Sequence, residues 1–273
     1  MGRMRAVNLG RYAALTVACL ATVLPFCWMV TTSLKNLPDV YRPPYLWPAT
    51  FVWSNYTHAL SAAPFGRYYL NTVVMTAGIV AGHLVLDTLA AYALARLHFP
   101  LRNAIFLTLV ATMLVPTFLT VLPAFTLTVQ FGWFNSYAGL IIPRLADVFG
   151  IVVLRGFMQS IPRELDEAAL VDGAGRLRIL WQIIVPLCRP ALATVAVFSF
   201  LYGWNDFLWP LLVSADDSYR TIQLGLSVFL DKYGPYPQYL MAGTVVAAVP
   251  AVAVFLILQR ALVRGLAATG LKE

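Results

Sequence analysis

Forty-one consecutive residues, 103–143, carry no charge. In water such a stretch would have to be buried on every side. In a bilayer it needs no cover, since roughly 20 apolar residues take a helix across a hydrocarbon core of about 30 Å. Comparable stretches recur: 23 uncharged residues separate Arg11 from Lys35, and Asp87 is the only charge among the 28 between Arg67 and Arg96. Across 273 residues the chain is 60% hydrophobic and 11% charged. Soluble domains average about 25% charged, and disordered chains are poor in apolar residues. Both classes are excluded.

The 103–143 stretch is too long for one span, and Gly132-Trp133-Phe134-Asn135 reads as its turn. The expected fold is therefore an all-α membrane protein with six transmembrane helices, at about 12–33, 69–95, 104–129, 137–157, 190–213 and 239–260. All of 1–273 reads as a single transmembrane domain. Pro116, Pro123, Pro143 and Pro250 fall inside spans, where kinks are tolerated if neighbours satisfy the freed backbone groups. Of 19 Lys and Arg, 13 fall on one side of this topology and five on the other, among them Lys232; Lys272 belongs to the larger group. By the positive-inside rule both termini are cytoplasmic. The net charge of +7 is then topological, and nucleic acid is not expected as a partner.

Soluble-enzyme chemistry finds no foothold. Cys19, Cys27 and Cys188 are too scattered for a disulfide framework or a zinc site, and His58, His83 and His98 lie far apart. No metal site is expected. No Gly-Lys dipeptide occurs, so a phosphate-binding G-x-x-x-x-G-K-[ST] loop is impossible. The chain reads as non-catalytic.

Charge returns in the 159–189 loop, on the side assigned to the cytoplasm. Pro162 suits a helix start, and Glu164, Asp166 and Glu167 complement the positive end of the helix dipole. Leu165, Ala168, Ala169 and Asp172 fall at i, i+3, i+4 and i+7, one short stripe of mostly small residues. Gly173 can take the positive φ that ends a helix. A second helical stretch places Leu177, Leu180, Trp181 and Ile184 at helical spacing before Pro186 and Pro190.

Glu167-Ala168-Ala169, three residues, Gly173, nine residues, Ile183, one residue and Val185-Pro186 resemble the E-A-A loop of binding-protein-dependent ABC importer permeases; Val185 stands where Leu is usual. Several further segments are similar to the carbohydrate-importing, maltose-type subfamily: Ala91-Tyr92-Ala93-Leu94-Ala95-Arg96 with Phe99-Pro100, Met113-Leu114-Val115-Pro116, Ser160-Ile161-Pro162, Asp172-Gly173-Ala174 and Trp204-Asn205-Asp206-Phe207. The resemblance implies the type I importer permease fold and a carbohydrate-importing activity. It implies a second, usually non-identical permease chain, two ATPase subunits that bind ATP and Mg, and an extracytoplasmic binding protein. This chain itself binds no cofactor. The loop helix, with Leu165, Glu167, Ala168, Ala169, Asp172 and Gly173, would then couple to the ATPase. Glycerophosphate or a glycerophosphodiester is the alternative substrate, because Arg144 adds positive charge inside a span. An ion-driven secondary transporter is the rival class, but it lacks a reason for the E-A-A loop.

Charges inside spans are costly and mark functional sites. Arg144 and Asp147 sit at i, i+3, which would pair them on one helix face. At about 1.5 Å per residue, His83 lies level with Arg144, and Asp87 level with Asp147, in the neighbouring span. His83, Asp87, Arg144 and Asp147 read either as an ion-pair network holding helices in register or as part of a polar translocation path. Trp204, Asn205 and Asp206 are the other path candidates, with Trp204 either stacking on a sugar or anchoring at the interface. The segments 37–67, rich in Pro and aromatic residues, and 214–238 read as binding-protein docking surfaces or as interfacial packing.

Overall fold

The computed structural model describes residues 2–43, 46–227, 229 and 236–270, with side chains placed from residue 11 to residue 259 within those ranges. Lys232 and Lys272 of the charge balance, and Pro44 and Tyr45 of the 37–67 loop, lie outside the described residues. Among the described residues all regular structure is helical.

In chain order the elements are α1 (Gly2–Ser33), α2 (Leu37–Val40), α3 (Ser54–Ser61), α4 (Phe65–Gly82), a π turn (His83–Asp87), α5 (Thr88–Arg96), α6 (Arg102–Thr112), α7 (Thr117–Gln130) and α8 (Tyr137–Ile141), which ends in a 3₁₀ turn (Ile142–Arg144). Then come α9 (Val148–Ser160), α10 (Glu164–Val171), α11 (Arg176–Ile179), a second π turn (Leu180–Ile184), α12 (Val185–Leu187), α13 (Arg189–Trp204), α14 (Leu208–Val213) and α15 (Ile222–Gly225). A long C-terminal helix spans Pro237–Gly270. Among the described residues three helices are long and apolar enough to cross a membrane: Arg11–Ser33, Phe65–Arg96 and Pro237–Gln259. Three bent pairs raise the number to six if each is one span, which is consistent with the six expected.

Residues 1–66 with 225–249 form one compact unit, and 67–224 with 250–273 a second. In the first unit α1 is exposed from Arg11 to Trp28, as befits a lipid-facing helix, and buried only in its last turn at Thr31, Thr32 and Ser33. Its last carbonyls are satisfied from outside the helix. The Asn55 side chain donates from Nδ2 to Ser33 O at 2.9 Å and to Lys35 O at 2.7 Å. Phe65 stacks on Phe229, with ring centroids 5.6 Å apart.

In the second unit the expected spans three, four and five are each interrupted. Span three, expected as one helix over 104–129, turns by 100° between α6 and α7. Pro116 has no N–H to continue the ladder and disfavours a helical conformation at Val115. Span four bends by 43° at Leu145-Ala146-Asp147, just after Pro143. Span five stops at Trp204 and resumes at Leu208. Pro123 and Pro250, by contrast, remain inside helices.

Small residues let the helices approach. Gly78 and Gly82, four apart on α4, lie against Ile141 and Leu145 of span four, where any Cβ would crowd those side chains. Ala91, Tyr92, Leu94 and Ala95 of α5 pack with Ile151, Leu154 and Met158 of α9 and with Ala169, Ile179, Leu180 and Ile184 of the loop region in one continuous core. Gly150 of α9 faces Asp87 so closely that a Cβ would collide with the carboxylate. Gly156, on the same helix, meets nothing within 4 Å. Both gain similar helix propensity on replacement by Ala. Gly150→Ala should therefore lower the thermal unfolding midpoint in detergent, by the equivalent of about 1–3 kcal/mol of overpacking, while Gly156→Ala leaves it unchanged or raises it.

Candidate functional site

The interruptions converge. A cavity of about 250 Å³ is lined by Thr117, Thr120, Val121 and Ala124 of α7, by Pro143 and Arg144 at the break in span four, and by Tyr202 and Trp209 on either side of the break in span five. The α7 residues fall at i, i+3, i+4 and i+7, so the helix offers one continuous stripe to the cavity. Irregular backbone at membrane depth is tolerated only where it is buried in protein or lines a cavity.

The break in span four is held by side chains from other segments, and the start of α14 after the break in span five by its own Asp206. His83, 2% exposed, hydrogen-bonds through Nε2 to Arg144 O at 2.9 Å and through Nδ1 to Ser199 Oγ at 2.7 Å. A carbonyl only accepts, so Nε2 carries the proton and Nδ1 accepts from the Ser199 hydroxyl. Asp87 Oδ1 accepts from the backbone N–H of Asp147 at 3.0 Å, at the N-terminus of α9. Trp209 Nε1 donates to Gly139 O at 3.0 Å. Asp206 Oδ1 accepts from Trp209 N at 3.3 Å, capping the start of α14.

The intramembrane charges pair differently from the i, i+3 expectation. Arg144 bonds Asp206, with Nη1 2.9 Å from Oδ2, rather than Asp147. The helix ends at Arg144 and restarts at Val148, so Arg144 and Asp147 no longer share a face, and Asp147 is exposed. Arg144 Nη1 also donates to Tyr202 OH at 2.7 Å. The guanidinium lies over the rings of Tyr202 and Trp209, 4.7 and 5.6 Å from their centroids.

Among the path candidates, His83, Arg144 and Asp206 are thus brought together, and Asp87 meets Asp147 through its backbone. Trp204 and Asn205 stand apart. Trp204 is 2% exposed, stacked on Phe200 at 5.4 Å and edge-on to Tyr69 at 5.6 Å, and so presents no face to the cavity. Asn205 donates to Leu201 O at 3.0 Å, closing its own helix end. Tyr202, Trp209, Thr117 and Thr120 were missed in the sequence reading. Thr117 and Thr120 stand at i, i+3 just after Pro116, which is a readable signal once a break is placed there.

The loop helix α10 carries its acidic residues in the first turn. Its end is a Schellman motif: Ala174 N donates to Ala169 O at 2.9 Å, Gly173 N to Leu170 O at 3.0 Å, and Gly173 has φ +79°. Leu165, Ala168 and Asp172 form an exposed face, joined by Val171 at 88% exposure. Ala169 departs from the expected stripe. It is buried in the core with α5 and α9, on the same side of the helix as Asp166. Glu167 and Gly173 are exposed.

What ties α10 down was not anticipated. Asp166 Oδ2 pairs with Arg96 Nη1 at 3.0 Å, and both side chains are nearly excluded from solvent. Arg96 Nη2 also donates to Ile161 O at 2.8 Å. The last residue of span two therefore ties the loop helix, through Asp166, to the end of α9, through Ile161 O.

The 214–221 loop is pinned to span two and to the turn before span four. Asn71 Nδ2 donates to Ser218 O and Arg220 O, both at 2.9 Å, and Asn135 Nδ2 donates to Asp216 Oδ2 at 3.1 Å. Hydrogen bonds from the Ser218 backbone and side chain, then from Asn135, hold the Asp216 carboxyl below its ordinary range. A depressed carboxyl stabilises the loop fully at neutral pH, and the contribution is lost as pH falls through the depressed value.

Broken spans around a polar cavity, with a rigid helix offered beyond the membrane segments, define a membrane-embedded transport subunit. The comparisons specify it. Residues 76–268 match the family model described as the binding-protein-dependent transport system inner membrane component, and the chain belongs to that family. It is 33% identical over 271 residues to the sn-glycerol-3-phosphate transport system permease protein UgpE of Yersinia enterocolitica, covering 96% of each. It is 32% identical to the diacetylchitobiose uptake system permease protein NgcG of Streptomyces coelicolor, covering 95% of this chain and 89% of the relative. Its fold matches a chain in the crystal structure of a bacterial ABC transporter involved in import of the acidic polysaccharide alginate. That match has a TM-score of 0.82 at 23% identity and covers 94% of this chain and 96% of the other.

The pairing of Arg144 is open to a double-mutant cycle. Arg144→Met and Asp206→Leu should show a coupling energy of about 0.5–3 kcal/mol in thermal unfolding. Arg144→Met and Asp147→Leu should be additive.

Proposed function

We propose that this chain is the membrane-spanning permease subunit of an ATP-driven carbohydrate importer. It forms the translocation path with a second, non-identical permease chain and couples to two ATPase subunits through α10. The observation that carries the reading is the exposed Leu165–Ala168–Asp172 face of a helix closed at Gly173 and anchored by Asp166 to Arg96. A coupling element has to be rigid, small at its contact face and mechanically tied to a span. Each requirement has a named residue here.

In this reading both termini and α10 are cytoplasmic, and an extracytoplasmic binding protein delivers substrate at the opposite face. ATP and Mg belong to the ATPase chains, and this chain catalyses no chemistry. All of 1–273 serves one permease function. The relatives named for diacetylchitobiose and for sn-glycerol-3-phosphate support a hydroxylated substrate of carbohydrate type. Glycerophosphate is the second reading, favoured by the glycerophosphate relatives and by the arginine at the cavity.

Differential contact with the ATPase in two nucleotide states is what coupling requires. Ala168→Cys should crosslink to a cysteine in the docking cleft of the co-assembled ATPase, with a yield that changes on adding ATP. Ala169→Cys, facing inward, should not crosslink. Crosslinking at neither Ala168 nor its exposed neighbours would refute docking through α10. Gly173→Val forces a β-branched residue into a left-handed conformation at a cost of about 1–2 kcal/mol. Uptake and substrate-stimulated ATP hydrolysis should fall together while the chain still inserts.

A further inference from the structure

The short turn 97–101 joins α5 to α6, the end of one apolar span to the start of the next, so it lies at the membrane surface. A cleft of about 300 Å³ opens there, lined by His98, Phe99, Leu101, Arg102, Asn103 and Ala104. No carboxylate lines it. Arg102 donates from Nη1 to Leu97 O at 3.1 Å, and its Nε and Nη2 have no protein partner among the described residues. Arg163 donates from Nη1 to His98 Nε2 at 3.3 Å, so the imidazole proton sits on Nδ1. Behind the cleft Arg155 of α9 is fixed over the Phe106 ring, 3.7 Å from its centroid, and repels Arg102. Among the described residues none of Arg102, Arg155 and Arg163 forms an ion pair, although Glu164 and Glu167 stand near Arg163 in sequence. Three unpaired guanidiniums at one corner raise the local positive potential. The first-turn amides of α6, with neither a side-chain cap nor an acidic residue, add to it. Beside the cleft the surface turns apolar: Leu101, Ile105 and Leu107 are exposed.

We propose that this cleft binds the phosphodiester of an anionic phospholipid, with an acyl chain of that lipid lying along the exposed apolar face of α6. The inference rests on the importer reading only for the leaflet, which that reading makes the cytoplasmic one. Basic pockets between membrane helices on that side hold anionic headgroups, and the leaflet's own negative surface potential concentrates them there. Arg102 offers a phosphate a planar edge of N–H donors, and His98 Nδ1 and the Asn103 amide offer one donor group each. A free phosphate satisfies the same donors but leaves Leu101 and Ile105 uncovered. A zwitterionic headgroup brings its own cation toward three arginines. Arg163 is the N-cap residue of α10, so the bound headgroup stands one hydrogen bond, that of His98, from the start of the loop helix.

The test uses the full chain, purified in detergent with the subunits it assembles with. Cys19 and Cys27 are exposed and are replaced by Ser, whereas Cys188 is buried and stays. Ala104→Cys, at an exposed position of the cleft lining, then reports occupancy through its labelling rate with N-ethylmaleimide. The probes are dioleoyl phosphatidylglycerol, dioleoyl phosphatidylcholine and inorganic phosphate. Phosphatidylglycerol at ten times its half-saturating concentration should slow labelling about tenfold, by mass action. The other two probes at the same concentration should leave the rate unchanged. Asn103→Asp places a carboxylate in the cleft at a helix start, where it favours the fold. It should raise the half-protecting concentration of phosphatidylglycerol about fivefold without lowering the thermal unfolding midpoint. Equal protection by phosphatidylcholine, protection by inorganic phosphate at a lower concentration than the lipid, or indifference to Asn103→Asp would overturn the anionic-lipid assignment. Protection by none of the probes would overturn the site. So would labelling that is slow without added lipid and recovers when the ATPase chains are removed, since the cleft would then be a protein contact. No uptake is measured, and the Ala168→Cys crosslink reports on the importer reading separately, so the two can fail independently.

Discussion

A backbone amide inside a bilayer has no water to turn to, and this protein breaks three helices at that depth. An unsatisfied backbone group there costs several kcal/mol. At the breaks in spans four and five the demand is met by side chains, three of them from neighbouring segments. His83 reaches the carbonyl of Arg144, Asp87 the N–H of Asp147, Trp209 the carbonyl of Gly139, and Asp206 the N–H of Trp209. The polar residues that look expensive in an apolar sequence are those that make the breaks possible. The breaks in turn supply the cavity wall, since Arg144, Tyr202 and Trp209 flank them.

A second constraint acts at the far end of the same long helix. Asp87 ends the π turn of span two, and Arg96 closes the span on Asp166 of the loop helix. Span two thus touches both the break in span four, through Asp87, and α10, through Arg96. The small residues Ala91, Ala95 and Gly150 let span two approach α9 closely along the way.

Much of this was legible in the sequence, for physical reasons that also explain the failures. Charge-free length identified membrane crossings because the bilayer reads length and polarity directly. The Glu167-Ala168-Ala169…Gly173 spacing identified the loop helix, because a Schellman end demands glycine at φ +79°. Rise per residue placed His83 and Asp87 near the 144–147 segment. Partner choice was less legible. The i, i+3 rule paired Arg144 with Asp147 on the assumption of an unbroken helix, and the break after Pro143 removed that premise. Trp204 and Ala169 were misassigned because periodicity gives a face without saying which neighbour covers it. Asp166 had no visible partner, since Arg96 lies 70 residues away in sequence.

The central claim is that intramembrane polar side chains hold broken backbone. Hydrogen exchange of the full chain in detergent tests it at Asp87, which serves one amide at the start of α9. Asp87→Leu should speed exchange in a peptide covering 147–151 and leave peptides of α7 and α14 at their original rates. Unchanged exchange at 147–151 would contradict the account, and so would a uniform acceleration throughout the chain.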